Sequence, residues 1–374
     1  MTTLQTEFET HELLESHPFA EPLIAGGVKC HGGFADDGTY VSPRTKVRVP
    51  AIHAWQEQRA EQFGTPQLDI PLESWPENYP NVDQAKYLLR EGVNQPIVST
   101  LTRIGTVEGF GAMIRYSAIP NLQECFDEDV KGTAMTHLER GLYEAHARDE
   151  AGFEDEGGHK QMWFASRDIA FDRPVTEDET ETMLVRMGIG RPASNGGGAV
   201  VDAQSLKGLL MADRILPDDV DMSLEQLIER MARLLLIEIS AFHVFAWAET
   251  VLSDDDLVAG DGEAARLVSY IRADEAPHVE YLKTVLSEMR DRTFVGSSGK
   301  NYAGTDLVSR IWDRAVRDSL GERRDANLKL TIGEVEHALS SNPRGSDILA
   351  EFHSLGTVDV SHLTSAAPKI EAGY

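Results

Sequence analysis

The sequence predicts an all-α protein, a helical bundle with an irregular N-terminal extension and extra C-terminal helices. Three observations carry this. Within a helix expected over 222–251, the segment 234–249 has almost no polar face, and a helix that is apolar all round is buried. Residues 262–292 hold a second long helical period, in which Glu275 and His278 stand three residues apart and so share a face. No stretch alternates apolar and polar residues over enough positions to specify a sheet.

The chain divides into a wrapping extension over 1–85, a helical bundle over 86–295 and a C-terminal helical section over 296–374. In the first part, glycine pairs and the prolines at 43, 50, 66, 71, 76 and 80 interrupt any long period. A short helix is expected over 51–63, and His31 and His53 read as surface or packing histidines. The segment 83–116 reads as a helix pair broken near Asn94-Gln95-Pro96, with Asn81 or Asp83 as its cap. Gly109 and Gly111 follow Glu108. Each costs a helix about 1 kcal/mol against Ala, so close approach of another group is expected there. A helix over 132–148 carries His137, Glu139, Glu144 and His146, and the acidic, glycine-containing stretch 149–158 reads as a loop. Helices follow over 160–171 and 176–187, and a glycine-rich linker over 191–198. The helix over 222–251 takes Asp221 or Ser223 as its cap. Beyond 295, one clear helix is expected over 304–320 and weaker ones near 330–340 and 345–355, with a frayed end over 364–374.

The composition narrows the function classes. Lys plus Arg is 35 against 62 Asp plus Glu, a formal charge of −27, which argues against nucleic acid or an anionic membrane as partner. No uninterrupted apolar run reaches the length of a membrane span, and the acidic, polar N-terminus is unlike a secretory signal. Two cysteines, Cys30 and Cys125, are too few for a disulfide framework or a cysteine zinc site. A cytoplasmic location is therefore expected, and any metal must rest on His and carboxylate, which suit iron and manganese. No phosphate-binding loop, dinucleotide fingerprint or nucleophile elbow is present.

Glu238 lies in the most apolar helix, where a buried carboxylate must be protonated, paired or bound to a cation. The next helix supplies Asp274-Glu275-x-x-His278. Upstream, Asp155-Glu156-Gly157-Gly158-His159 repeats the Asp-Glu-x-x-His spacing, and Glu108 sits in a further apolar segment. A lone Glu-x-x-His is weak in so acidic a chain. Two of them, each preceded by Asp and separated by a buried helical Glu, are far more specific.

This order resembles the ferritin-like di-iron carboxylate superfamily, in which a Glu from each of two helices and a Glu-x-x-His from each of the other two project into a bundle core. The paired motifs are most similar to those of its oxygenase members, such as the catalytic subunit of phenylacetyl-CoA epoxidase. The resemblance covers about residues 95–290. It implies a ferritin-like bundle with Glu108, Glu156, His159, Glu238, Glu275 and His278 as ligands of two irons, manganeses or one of each. It implies a non-haem oxygenase or oxidase that uses O2 on a small organic substrate, by hydroxylation, N-oxygenation, desaturation or oxidative cleavage. An electron-donor protein and a homodimer are the partners it leaves open.

Glu139, Glu144 and His146 are rival ligands, since Glu139 and His146 share a helix face. His243 lies about 140° around the helix from Glu238 and is expected to face elsewhere. Glu249 returns to the Glu238 face, and Phe242 and Phe245 flank it, so these three are the candidate substrate-pocket residues. Three features depart from the pattern: Pro277, which kinks a helix, the glycines 157 and 158, and the inserted helix over 132–148. A ferroxidase or iron-storage protein and a non-catalytic helical protein are the alternative readings.

Overall fold

The computed structural model describes residues 5–68, 70–171, 175–186 and 214–356. It is 62 % helix and 8 % strand, so the helical expectation holds. The expected linker over 191–198 and the tail over 364–374 lie outside the described residues.

Strands are present where none was expected. β1 (Glu21–Ala25), β2 (Val28–Phe34) and β3 (Tyr40–Val41) form an antiparallel sheet in that order. β2 shows no apolar–polar alternation because Cys30, His31, Gly32 and Gly33 are buried in succession, covered on both faces. A hairpin of β4 (Thr293–Val295) and β5 (Asn301–Ala303) is too short to display a period.

The helices fall close to their expected places. In the first part of the chain they are α1 (Thr10–Leu13), α2 (Arg48–Phe63), α3 (Val82–Arg90) and α4 (Gln95–Gly111). Asn81 caps α3 by accepting from Gln84 N at 2.8 Å. Pro96 opens α4, where its missing N–H has no intrahelical partner to lose. The threonines 100, 102 and 106 inside α4 each bond the carbonyl four residues back, which satisfies polar groups on a buried helix. After the short α5 (Leu122–Cys125), the single helix expected over 132–148 is broken. A 3-10 turn at Ala134–His137 and a π turn at Leu138–Leu142 precede α6 (Tyr143–Ala151). Gly141, at φ 138°, interrupts the helical path.

The remaining helices are α7 (His159–Ala170), α8 (Glu177–Arg186), α9 (Met222–Leu252), α10 (Glu263–Arg290), α11 (Gly304–Leu320), α12 (Glu322–Leu339) and α13 (Gly345–Ser354). Asp221 caps α9, accepting from Ser223 N at 2.7 Å and Leu224 N at 3.2 Å. α10 runs across Pro277 without a break.

α9 packs along α10, α10 along α7, α7 along α4, and α6 beside α4. These helices enclose one common interior. By length and hydropathy α9 could cross a membrane, but half of its most apolar window is buried inside the fold, as a core helix requires. The N-terminal sheet lies on α7, α11 packs on α9 and α10, and α12 packs on α4. The extensions thus cover two sides of the interior.

Candidate metal centre

Two groups of side chains converge between α4, α6, α7, α9 and α10. His146, Glu150, Glu238 and His278 form one, and Glu108, Glu150, His159 and Glu275 the other. Within each, the ligand atoms all lie within 4.8 Å of one another. Glu150 belongs to both.

Local structure explains the convergence. α6 ends at Ala151, and Gly152 at φ 84° turns the chain back. The returning loop presses so tightly that a Cβ at Gly158 would meet Asp149 O and Gly152 N at 2.4 Å. Strand β2 pins it: Gly157 N donates to Lys29 O, and His31 N to Gly157 O, both at 2.8 Å. α7 therefore begins beneath the last turn of α6, and His159 returns beside Glu150. Across the interior, a Cβ at Gly111 of α4 would stand 2.7 Å from Glu150 Cγ, so the glycine lets this side chain pass. The close approach expected at Gly109 and Gly111 is thus met by Lys160 and Glu150 side chains.

Two imidazoles point their Nδ1 atoms inward. His159 Nδ1 is 2.8 Å from Glu275 Oε1, 3.4 Å from Glu150 Oε1 and 3.9 Å from Glu108 Oε2. His278 Nδ1 is 2.6 Å from Glu275 Oε2 and 3.3 Å from Glu150 Oε1. A third ring, His146, stacks on His278 with centroids 3.9 Å apart. With its Nδ1 turned to the Tyr281 hydroxyl at 3.2 Å, its Nε2 faces Glu238 at 3.5 Å and Glu150 at 3.8 Å. Glu275 thus spans two histidines, and Glu150 lies among all three.

The outward faces of the rings meet two aspartates in a crossed arrangement. Asp149, next to Glu150, sits 3.0 Å from His278 Nε2. Asp274, next to Glu275, sits 3.6 Å from His159 Nε2. Asp149 is fixed by Arg44, whose Nε donates to Oδ1 at 2.7 Å, and by Arg48 Nη1 at 2.8 Å from Oδ2. Asp274 meets His31 Nε2 at 3.0 Å and accepts from the Tyr40 hydroxyl at 2.9 Å. His31 is accordingly a buried member of this network, in contact with Arg44 at 3.2 Å.

The electrostatics are those of a site short of positive charge. Burial, then the neighbouring carboxylates Glu150 and Glu275, hold Glu108 and Glu238 well above the usual carboxylate range. Burial also acts to raise Glu275, yet His159 and His278 hold it well below that range. Burial and the stacked His278 push His146 down to about 3, so it is neutral. Asp149 stays well below its ordinary value because Arg44 and Arg48 outweigh burial.

These side chains fit a pair of metal ions. Both Glu150 oxygens, Glu275 Oε1, His146 Nε2 and His159 Nδ1 are buried without a hydrogen-bond partner. His159 Nδ1 and Glu275 Oε1 stand 2.8 Å apart without hydrogen-bond direction, so both atoms face a shared space. Buried polar atoms normally find partners, and five orphans aimed at one interior answer to a cation. Four glutamates would balance two divalent ions, with the imidazoles as neutral donors.

The structure brings together Glu108, His159, Glu238, Glu275 and His278, and adds His146 from among the rivals. It does not bring Glu156. That side chain is 38 % exposed and 3.4 Å from Lys29, and its neighbour Asp155 is 75 % exposed and bonds the same lysine. Glu150 stands in its place. The helical Asp-Glu pair is Asp149-Glu150, separated from His159 by the folded-back loop. The available signal was an Asp-Glu dipeptide whose glutamate lies four residues after His146, at the end of a helix.

Glu139 is exposed, and Glu144 pairs with Arg148 at 2.7 Å. His243 faces away from the ligands, bonding Leu72 O at 3.0 Å. Glu249 pairs with Arg272 at 2.8 Å, and Phe245 is wholly buried against Trp163. Phe242 lies edge-on to Phe245. None of Phe242, Phe245 and Glu249 lines the cavity that reaches the centre. That cavity, about 370 Å³, opens between α4, α9 and the α11–α12 junction and touches Glu108. His243 does line it.

Comparison with known proteins gives no match among family models, curated proteins or solved structures.

Proposed function

We propose that the chain is a ferritin-like di-metal oxidoreductase that uses O2 to oxidise a small organic substrate. The observation that carries this is the pair of ligand groups sharing Glu150, set among helices at the end of a cavity. Glu108, Glu150, His159 and Glu275 would hold one ion. Glu150, Glu238, His278 and His146 would hold the other, with Glu275 in reach of both. Two irons, or iron with manganese, would supply the oxygen chemistry when bound. An electron-donor protein belongs to the same proposal.

The chain's own residues have defined tasks. Asp149 would fix the ring of His278 through its 3.0 Å bond, as a carboxylate behind a metal-bound histidine does, and Asp274 stands behind His159 at 3.6 Å, beyond hydrogen-bond distance. The buried apolar residues of α9 would limit water around Glu238. The cavity at Glu108 supports a substrate-oxidising role over plain iron storage, which needs no organic pocket.

Elemental analysis tests the proposal. After anaerobic reconstitution with ferrous iron, about two metals per chain are expected, lost in Glu238→Ala combined with His278→Ala. Absence of stoichiometric metal in the wild type would leave a non-catalytic helical protein as the better account. Accumulation of many irons per chain would favour storage.

A further inference from the structure

The cavity that reaches Glu108 has a charge pattern unlike the rest of this acidic chain. On α4 its wall is formed by Thr100, Arg103, Ile104, Val107 and Glu108, one face of a helix. α9 contributes Ile237 and Val244, and α12 contributes Arg323 and Arg324. Val107 and Ile237, each 41 % exposed, give the cavity an apolar middle. Its volume lies within the ~300–1,000 Å³ usual for small-ligand sites.

Three guanidinium groups line one cavity in a protein of net charge −27. Among the described residues, Arg103, Arg323 and Arg324 have no carboxylate within salt-bridge reach. Arg103 has only a 3.4 Å contact from Nη1 to Thr331 Oγ1. Burial lowers the pKa of both Arg103 and Arg324, against the opposing pull of Glu334 on the first and Asp325 on the second. A planar guanidinium is matched by carboxylate or phosphate oxygens, and the three guanidiniums outnumber Glu77 and Glu108, the two carboxylates that also line the cavity.

We propose that this cavity binds an organic anion, a carboxylate or phosphate monoester on a short apolar body, with its charged head at Arg103 and Arg324 and its body directed toward Glu108. Arg103 and Glu108 are five residues apart on α4, an axial rise of about 7.5 Å. The atom presented to the centre is therefore several bonds from the anionic head. This deepens the oxidoreductase reading and rests on it for the role of the ligand as substrate, but not for binding itself.

Calorimetric titration with octanoate, octyl phosphate, octanol and octylammonium, on metal-free and ferrous-loaded protein, tests it. One or both anions are expected to bind at least about tenfold more tightly than octanol, as a charge-assisted hydrogen bond provides. Which anion is preferred identifies the head group. That preference is expected to vanish in Arg103→Gln with Arg324→Gln, to weaken in Arg324→Gln alone, and to persist in Arg310→Gln, an exposed α11 arginine outside the cavity. The half-buried Arg324 keeps the test valid should the double variant fold poorly. Equal binding of octanol and both anions, or an anion preference indifferent to these arginines, would overturn the proposal. Anion binding in a protein that takes up no metal would sustain this site while removing the oxidoreductase reading; metal uptake without anion preference would do the reverse.

Discussion

Asp149 reaches across from the end of α6 to His278 on α10, with Oδ2 3.0 Å from Nε2, while its own neighbour Glu150 faces the opposite side of that ring, 3.3 Å from Nδ1. One dipeptide thus addresses both nitrogens of one histidine. The Asp274-Glu275 dipeptide does the same for His159, at 3.6 Å and 2.8 Å. The two halves of the site hold each other in position.

This crossing separates orientation from ligation. Asp274→Asn should leave the inner carboxylates in place and loosen His159, lowering metal affinity by about 10–100-fold. Asp149→Asn should show a similar loss and a lower melting temperature, because Arg44 and Arg48 lose a buried partner, a change that costs about 3–5 kcal/mol. Competitive metal titration and thermal melts measure the two effects. An Asp274→Asn affinity equal to wild type would remove the orienting role.

Glu150 and Glu156 make opposite predictions. Glu150→Ala should abolish stoichiometric metal binding, since its oxygens serve both ligand groups. Glu156→Ala should retain full metal content and lose only a half-exposed contact to Lys29, within about 1 kcal/mol. Elemental analysis of both proteins decides it; metal loss in Glu156→Ala alone would restore the contiguous motif.

Gly111→Ala tests the close passage of Glu150. In an unconstrained helix the change would stabilise by about 1 kcal/mol. Here the added Cβ would meet Glu150 Cγ at 2.7 Å, so a net loss of about 1–3 kcal/mol is expected from overpacking, with weakened metal binding. Urea denaturation supplies the first value. A more stable Gly111→Ala protein would mean that Glu150 has room to move.

The N-terminal segment carries a pH dependence of its own. Phe8 N donates to His137 Nε2 at 3.1 Å, and His137 Nδ1 therefore holds the proton it gives to Thr133 O at 2.8 Å. Burial lowers the pKa of His137 below its ordinary 6.5, although the bond to the Thr133 carbonyl and then Glu7 and Glu9 oppose the shift. A depressed folded pKa favours the neutral form. The stability it contributes is full above pH 6.5 and is lost as pH falls through the lower folded value. His137→Leu should cost about 1 kcal/mol at pH 8 for the lost hydrogen bond and flatten the decline on acidification. Denaturation midpoints from pH 8 to pH 5 provide the comparison, and parallel curves for the two proteins would refute it.

The helices were legible because a local period states them. The apolar run of α9, the Asp221 cap and the extent of α11 follow from neighbours within a few residues, and so did the positions of Glu238, Glu275 and His278 on long uninterrupted helices. β2 was not legible, because its buried run reflects cover on both faces by distant residues. The second half of the site failed for a related reason. His159 was found by its spacing from Glu156, yet the acid of that stretch that lies beside it in space is Glu150, nine residues before it. The sequence by itself determined which helices form and that carboxylate–histidine pairs lie among them. The tertiary structure alone decided which acid lies beside His159 and His278. That choice depends on Gly152 turning the chain, on Gly158 allowing it to press against Asp149, and on β2 clamping the loop from more than a hundred residues away, contacts that no local spacing encodes.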